Sequence, residues 1–301
     1  KSIKGIILAG GNGSRLFPLT LGTSKQLLPV YDKPMIYYPL SILMMSGIRD
    51  ILIISTSRDL PRFKNLLKDG NQLGLNLSYI EQSKPNGIAE AFILGEEFIG
   101  NNNVCLILGD NIFHGKGFVK LLNEAVANLI NGYSSIFSTT VENPNEFGVI
   151  EFSKNFKIKK IVEKPENFIG NNIVSGLYFY TNDVIQISKN LKPSKRGELE
   201  ITEINNCLLN LNSLKVIMLD SSFYWSDTGT YDSLIKASKF FQEYENKTGN
   251  KLACIEEIAL KLGYINNSAF VDLANSMIMS SYGRYLYAKS RHECDRLQIF
   301  R

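Results

Sequence analysis

The chain has 301 residues, of which 44% are hydrophobic and 21% are charged, the balance of a globular protein with a sizeable core. A formal net charge of +4, without a block of Lys and Arg residues, does not favour a nucleic-acid partner, and the most apolar helical segment, 35–45, is too short to cross a membrane. The four cysteines are widely spaced and form no CxxC pair, which favours reduced thiols in a cytoplasmic protein.

Strand and helix patterns alternate along most of the chain. The apolar run Ile3–Ala9 predicts a first strand that is buried on both faces. Further strands are predicted at 50–54, 75–81, 104–108, 134–140, 172–180 and 214–219, with short strands within 149–162. Helices are predicted at 34–46, 59–68, up to about 98, 118–130, 183–191 and 200–211, and after residue 230 with breaks near Gly249, Gly263 and Gly283. This spacing predicts an α/β fold: a Rossmann-like, doubly wound, mainly parallel mixed sheet with a helical C-terminal tail.

A glycine-rich turn follows the first strand: Gly10-Gly11-Asn12-Gly13-Ser14-Arg15. Three glycines in four positions allow a sharp turn whose amide N–H groups form a concave anion site. Arg15 and Lys25 add two cations that suit phosphate oxygens. Ligands of doubly wound sheets bind beyond the carboxyl ends of the strands, where both this turn and Asp110 fall. The stretch therefore predicts a nucleoside triphosphate site.

Two commoner phosphate-binding loops fit less well. The dinucleotide fingerprint requires a third glycine where this chain has Leu16. The Walker loop requires Gly-Lys-Ser/Thr, whereas Lys25 follows Ser24 and precedes Gln26. A glycine-rich loop without a ligand is the remaining alternative, but it would not explain why Arg15 and Lys25 lie beside the glycines.

Five motifs together carry a resemblance to a known family. In chain order they are Gly10-Gly11-x-Gly13-x-Arg15-Leu16-x-Pro18-x-Thr20 with Ser24-Lys25-Gln26-Leu27-Leu28-Pro29, then Leu108-Gly109-Asp110-Asn111, Glu163-Lys164-Pro165, Gly197-Glu198-Leu199-Glu200-Ile201-Thr202 and Trp225-x-Asp227-Thr228-Gly229-Thr230. This set closely resembles the sugar nucleotidyltransferases over essentially the whole chain.

Within that family the chain is most similar to the branch that uses dTTP. The resemblance implies Mg²⁺-assisted, in-line transfer of a thymidylyl group from dTTP to α-D-glucose 1-phosphate, giving dTDP-glucose and pyrophosphate. It implies Arg15, Lys25 and Lys164 as catalytic residues, a homotetramer, and a place in the supply of dTDP-rhamnose or a related deoxysugar for bacterial polysaccharide. A uridylyltransferase that uses UTP and a non-catalytic nucleotide-sugar sensor remain alternatives.

The resemblance also implies which residues contact the nucleotide: Gly10, Gly11, Gly13, Ser14, Arg15, Gln26, Gln82, Gly87 and Asp110. A glutamine amide can pair with a pyrimidine edge through one donor and one acceptor, and Gly87 leaves the backbone free for a further hydrogen bond. By itself, a glutamine in a loop is more often solvated, and it is the resemblance that makes Gln82 and Gly87 the candidates for thymine recognition.

Asp110 and Asp227 are the candidate metal ligands. Mg²⁺ commonly takes one or two carboxylates together with phosphate oxygens and water. Their positions alone leave open that Asp110 caps a turn and that Asp227 forms an Asx turn with Gly229. The resemblance assigns both carboxylates to the metal.

The resemblance assigns the sugar phosphate to Gly148, Glu163, Lys164, Val174 and Arg196. Pro165 should hold the preceding residue extended, so that the Glu163 and Lys164 side chains project oppositely, one to the sugar ring and one to the phosphate. From the residues alone, the Glu-Lys pair and Arg196 could equally be surface charges, and Gly148 and Val174 ordinary turn and strand residues.

The resemblance suggests a division into a core of 1–250 and a helical region of 251–301 that packs against other subunits. Within the core, about 1–115 would bind the nucleotide and about 116–230 the sugar phosphate, on one continuous sheet. Trp225 is either a core aromatic or a wall of the sugar site, and the tyrosines of 282–287 form a cluster that could be plain core. Two departures from the family are Phe147, where Tyr is usual, and the run 221–224, which leaves feedback regulation in doubt.

Overall fold

The computed structural model describes residues 2–153, 155 and 157–299, with side chains up to Arg291. The strands are β1 (Ile3–Ala9), β2 (Pro29–Val30), β3 (Lys33–Pro34), β4 (Asp50–Ser55), β5 (Asn76–Glu81), β6 (Asn103–Leu108), β7 (Ile112–His114), β8 (Ser134–Thr140), β9 (Gly148–Phe152), β10 (Ile158–Glu163), β11 (Asn172–Tyr180), β12 (Leu214–Met218) and β13 (Tyr224–Ser226). The helices are α1 (Tyr37–Met45), α2 (Leu60–Leu67), α3 (Glu90–Leu94), α4 (Glu96–Ile99), α5 (Phe118–Ile130), α6 (Val184–Lys189), α7 (Ile201–Asn210), α8 (Tyr231–Thr248), α9 (Ile255–Lys261), α10 (Asn267–Ser276) and α11 (Ser281–Ile299).

In the described residues, nine strands form one mixed sheet with the order β10-β9-β11-β6-β1-β4-β5, while β8 pairs with β11 and β12. The first half, β6-β1-β4-β5, is parallel. Its register places Ala9 beside Ser55, and Ser55 beside Glu81. The residues that follow these strands therefore meet at one edge of the sheet, as predicted for a doubly wound fold.

Strand β11 joins the two halves of the molecule. It runs antiparallel to β6, with Leu177 beside Ile107, and antiparallel to β8 and β9. Eight of its nine residues are buried, and the first is half-buried. The prediction of a sheet that continues from the first half into the second is confirmed.

Each face of the sheet carries its own apolar core. Adjacent residues of β1 point to opposite faces: Ile7 packs with the helices α1, α2 and α5, and Ile6 packs with Phe92 and helix α7. Both isoleucines are fully buried. This two-sided burial explains why β1 is an unbroken apolar run in the sequence.

Most predicted elements have the observed type, and β1, α5, β8 and β11 have the predicted bounds. The helix expected to end near 98 is instead two short helices that meet at Gly95. The break expected near Gly283 lies at 277–280, and Gly283 itself is inside α11. A Cβ on Gly283 would lie 2.0 Å from the Met277 carbonyl oxygen, so the glycine permits a tight turn rather than ending a helix.

The C-terminal helices α9–α11 pack around a small core that includes Phe270, Tyr282 and Leu286, so the aromatic cluster there is ordinary core. Lys251 fixes this region to the rest of the chain, since its Nζ lies 2.6 Å from both Asp32 Oδ2 and Glu245 Oε1.

The cysteines with described side chains, 105, 207 and 254, are free thiols, and Cys294 lies outside the described side chains. Within the described part of the chain, no helix combines the length and apolarity needed to cross a membrane.

Candidate active site

The glycine turn leaves β1 at the carboxyl edge of the sheet and presents open backbone. Gly11 has φ +92° and Gly13 has φ +59°, values that favour glycine. A side chain on Gly11 would meet nothing within 4 Å, and the Gly13 carbonyl accepts a 2.7 Å hydrogen bond from Thr20 Oγ1. Ser14 and Arg15 follow in a 3₁₀ turn, both exposed. The turn has the accessible amide-rich shape that a phosphate chain requires.

Lys25 joins two distant loops. Its side chain is largely buried, and Nζ donates to Asp110 Oδ2 at 2.6 Å and to the Asp227 carbonyl oxygen at 3.2 Å. Thr228 Oγ1 closes the same junction by donating to the Asp110 carbonyl oxygen at 2.6 Å. One cation therefore holds together two carboxyl-bearing segments that are more than 100 residues apart in the chain.

Arg15 reaches the same junction from the other side. Its guanidinium lies 2.8 Å from Glu146 Oε2 and 4.0 Å from Asp227 Oδ2. Asp227 Oδ1 also accepts a 3.2 Å hydrogen bond from the Gly229 amide, which forms the Asx turn considered from the sequence. The same residue lines the cleft. A turn role and a ligand role are thus compatible in Asp227.

The two aspartates offer a donor set that suits Mg²⁺. Besides Lys25, the Asp110 carboxylate accepts a 2.9 Å hydrogen bond from Asn111 Nδ2. In the described residues, no group of three or more His, Cys, Asp or Glu side chains is placed so that it could hold a metal ion by itself. Two hard carboxylates, with the remaining positions left to phosphate and water, match the needs of Mg²⁺ rather than those of zinc.

A cavity of about 200 Å³ brings the sugar-phosphate candidates next to this junction. Its lining includes every residue predicted for the sugar phosphate and three predicted for the nucleotide or metal: Gly148, Glu163, Lys164, Val174, Arg196, Arg15, Asp110 and Asp227. The structure thus places these eight candidates around one cleft.

Glu163 lies in the wall of this cleft. Burial raises the pKa of its carboxyl group, while a hydrogen bond from Thr202 Oγ1 acts in the opposite direction. A Cβ on Gly148 would lie 3.0 Å from Thr202 Oγ1 and 3.5 Å from Glu163 Oε2, so glycine preserves space in front of the carboxylate.

Lys164 differs from its expected conformation. Its φ is +42°, not extended, so the prediction from Pro165 is wrong. The Lys164 amide donates to the Phe147 carbonyl oxygen at 3.0 Å, directly beyond the pairing of Glu163 with Gly148. This hydrogen bond fixes the chain as it leaves β10, at a conformational cost that is typical of functional sites.

Arg196 is surrounded by carboxylates. Its NH2 group lies 2.9 Å from Glu200, 3.0 Å from Glu198 and 3.5 Å from Glu163. A phosphate bound by Arg196 would therefore share the guanidinium with these carboxylates.

Trp225 lines the cleft and also packs against the apolar core, so both alternatives considered from the sequence apply. It is half-buried, its Nε1 donates to Asn111 Oδ1 at 2.9 Å, and its ring meets Phe147 edge to face at 5.5 Å.

The base-recognition candidates lie along the same edge of the sheet, outside the cavity lining. Gln82 follows β5, and its Nε2 donates to Glu90 Oε2 at 2.7 Å. Gly87 has φ +107°, and a Cβ there would lie 2.4 Å from the Leu199 carbonyl oxygen, so close packing against the Leu199 backbone requires a glycine. The Gln26 side chain is buried and accepts from Ser24 Oγ at 2.6 Å.

Comparisons with known proteins identify the family. Residues 4–244 match the family model described as nucleotidyl transferase. The chain belongs to this family. The transferase is 51% identical to glucose-1-phosphate thymidylyltransferase of Neisseria meningitidis and 49% identical to that of Mycobacterium tuberculosis, each over 94% of this chain and 98% of the relative. The resemblance expected from the motifs is confirmed.

Solved structures support the fold of the transferase. A Bacillus anthracis protein assigned as a glucose-1-phosphate thymidylyltransferase, crystallised with sucrose, aligns with TM-score 0.73 and 39% identity over 79% of this chain and 95% of its own. A UDP-glucose pyrophosphorylase with UDP-glucose aligns with TM-score 0.70 and 26% identity, over 80% of this chain and 98% of its own.

Several residues of the transferase site are given no role from the sequence, although one of them, Thr202, lies in the motif Gly197–Thr202. Glu146 pairs with Arg15, Thr202 with Glu163, and Glu90 with Gln82. Asn205 also lines the cavity, and its buried Nδ2 has no hydrogen-bond partner within the described residues. Most of these contacts join distant segments, and none creates a local spacing that could be recognised.

Proposed function

We propose that the chain transfers a thymidylyl group from dTTP to α-D-glucose 1-phosphate, giving dTDP-glucose and pyrophosphate. The observation that carries this proposal is the junction of Lys25 with Asp110 and Asp227, beside Arg15 and within the cleft that Glu163 lines. The names of the relatives that are 49–51% identical support the choice of substrates.

In the proposed reaction, a phosphate oxygen of glucose 1-phosphate attacks the α-phosphorus of dTTP. The new O–P bond forms as the bond to the β-phosphate oxygen breaks, and pyrophosphate leaves on the opposite side. Catalysis is mainly positioning and charge stabilisation, so no side-chain nucleophile is required.

Each cation has a role that matches its surroundings. Arg15 is 55% exposed, and Glu146, its ion-pair partner at 2.8 Å, is 70% exposed, so Arg15 can turn toward the leaving pyrophosphate. Lys25 is fixed at the junction and would contact the α-phosphate. Lys164 would align the attacking phosphate from the end of β10.

Asp110 and Asp227 would hold Mg²⁺. When bound, the ion supplies positive charge to the phosphate oxygens. On the sugar side, the Glu163 carboxylate would accept sugar hydroxyl groups, with Thr202 fixing its orientation.

The alternative substrate is UTP, since a UDP-glucose pyrophosphorylase shares the fold. Thymine and uracil differ by one methyl group, which is worth only ~1–3 kcal/mol in a pocket. The identity to thymidylyltransferases favours dTTP.

We also propose a cytoplasmic homotetramer that serves the supply of dTDP-rhamnose or a related deoxysugar, with residues 251–301 at subunit contacts. Three apolar side chains of that region, Leu262, Ile278 and Met279, are exposed in the single chain. Light scattering coupled to size-exclusion chromatography would test the assembly, and loss of the tetramer on replacing Met279 by Asp would test the contact.

Pyrophosphate release with glucose 1-phosphate and Mg²⁺ tests the reaction, with dTTP and UTP compared at equal concentrations. We expect faster release with dTTP, abolished by EDTA. A preference for UTP would move the base assignment to uracil. Binding of dTTP without release from either nucleotide, even when other sugar phosphates are supplied, would favour the sensor and refute the proposal.

A further inference from the structure

We propose that Glu90 is a positioning residue that determines base specificity by fixing the amide of Gln82. The inference rests on the proposed function, because it concerns the base that the same site accepts. Glu90 is the first residue of α3, and its carboxylate accepts hydrogen bonds from Gln82 Nε2 and from Asn86 Nδ2, each 2.7 Å long. The Gln82 side chain is only 6% exposed, so its amide has little room to reorient.

These hydrogen bonds decide which atom of the amide faces the glycine turn. A Cβ built on Gly10 would lie 2.8 Å from Gln82 Oε1, whereas Nε2 lies on the Glu90 side. In the described part of the chain, no hydrogen bond to Gln82 Oε1 is found. The oxygen is therefore a free acceptor beside the turn where the nucleotide is proposed to bind.

The fixed amide has the pattern of a thymine partner. Its oxygen can accept from the N3–H group of thymine or uracil, and the second hydrogen on Nε2 can bond to the O4 atom. Cytosine has an unprotonated N3 and an amino group at C4, so it requires the amide rotated by 180°. That rotation would place the Gln82 carbonyl oxygen against the Glu90 carboxylate, and two acceptors without a shared proton repel each other. Glu90 should thus select dTTP over dCTP.

The test measures kcat/KM for dTTP and for dCTP by pyrophosphate release. Glu90→Met keeps the side-chain length and removes both acceptor oxygens, and we expect it to lower the dTTP:dCTP ratio by ~10-fold or more, the scale of a mismatched base edge. Glu90→Gln replaces a carboxylate that only accepts by an amide that can either accept from Gln82 or donate to it. Both orientations of the Gln82 amide then become possible, and the ratio should also fall. Glu97→Met removes an exposed charge from the neighbouring helix and should leave the ratio unchanged.

A double-mutant cycle with Gln82→Met distinguishes action through Gln82 from a general structural effect. Gln82→Met alone should reduce the dTTP:dCTP ratio of kcat/KM, and adding Glu90→Met should reduce it no further. An unchanged ratio in Glu90→Met, an equal fall in Glu97→Met, or a further fall in the Gln82→Met background would each overturn the proposal.

Two further outcomes keep the test decisive. If Glu90→Met does not fold, Glu90→Gln takes its place, because its near-identical shape preserves the packing while its amide can donate to a rotated Gln82 oxygen. An unchanged ratio in Glu90→Gln would then overturn the proposal. A wild-type protein that releases no pyrophosphate from dTTP would instead refute the proposed function.

Discussion

Arg15→Ala separates the chemical role of a cation from its structural role. The Arg15 side chain is 55% exposed, and its partner Glu146 is 70% exposed. An ion pair so accessible to water contributes about 0–1 kcal/mol to stability, so the melting temperature should change by no more than about 3 °C. Loss of a cation that stabilises the leaving pyrophosphate should lower kcat by ~10²–10³-fold. Calorimetry and pyrophosphate release measure the two effects on the same sample.

Lys189→Ala is the matched control. Lys189 forms a comparably exposed ion pair with Glu96, 2.6 Å apart, and neither residue lines the cleft. Its loss should cost as little stability and leave kcat unchanged. A folded Arg15→Ala protein with kcat within about tenfold of the wild type would refute the catalytic role. A melting temperature lowered by much more than the control would show that Arg15 is structural.

Three further predictions concern the same cleft. Lys25→Met should lower the free energy of unfolding by about 3 kcal/mol in urea titrations, because it leaves Asp110 without its buried partner; a loss like that of Lys189→Ala would contradict this. Asp227→Asn should raise the Mg²⁺ concentration for half-maximal rate by about tenfold or more, and an unchanged Mg²⁺ dependence would exclude this carboxylate as a ligand. Glu163→Gln should raise KM for glucose 1-phosphate by ~10-fold or more, leaving KM for dTTP nearly unchanged. Because burial raises the Glu163 pKa above 4.5, the folded state binds that proton more tightly, so wild-type stability should fall as pH rises from 4.5 through the folded-state pKa. The free energy of unfolding of Glu163→Gln, measured by urea titration across that pH range, should not show this fall. Identical pH profiles of the variant and the wild type would contradict the reasoning.

The sequence was sufficient for features that depend on local pattern. The two-sided burial of β1 appears as an unbroken apolar run, and the amphipathic periods of α5 and α7 identified helices that pack on the sheet. The glycine turn and the family resemblance likewise identified eight residues that line one cavity.

Features that depend on contacts between distant segments could not be predicted. Gly87 is predicted to leave its backbone free for a base, and the structure adds a second reason for the glycine, the approach of Leu199, more than 100 residues away. Lys164 was expected to be extended because of Pro165, but a hydrogen bond to Phe147 holds φ at +42°. Neither partner has a fixed spacing from the residue that it constrains.

The position of β11 has a consequence for engineering. Because this strand covers the edge of β6, a fragment that ends near residue 115 would expose the apolar strand Asn103–Leu108 as a bare sheet edge, open to intermolecular pairing. Chimaeras that exchange the proposed sugar-binding part, about residues 116–230, should therefore keep Asn172–Tyr180 from the protein that supplies the first half. The best crossover point for such a chimaera is thus determined by which strands pair in the sheet, here β11 with β6, and not by the order of residues along the chain.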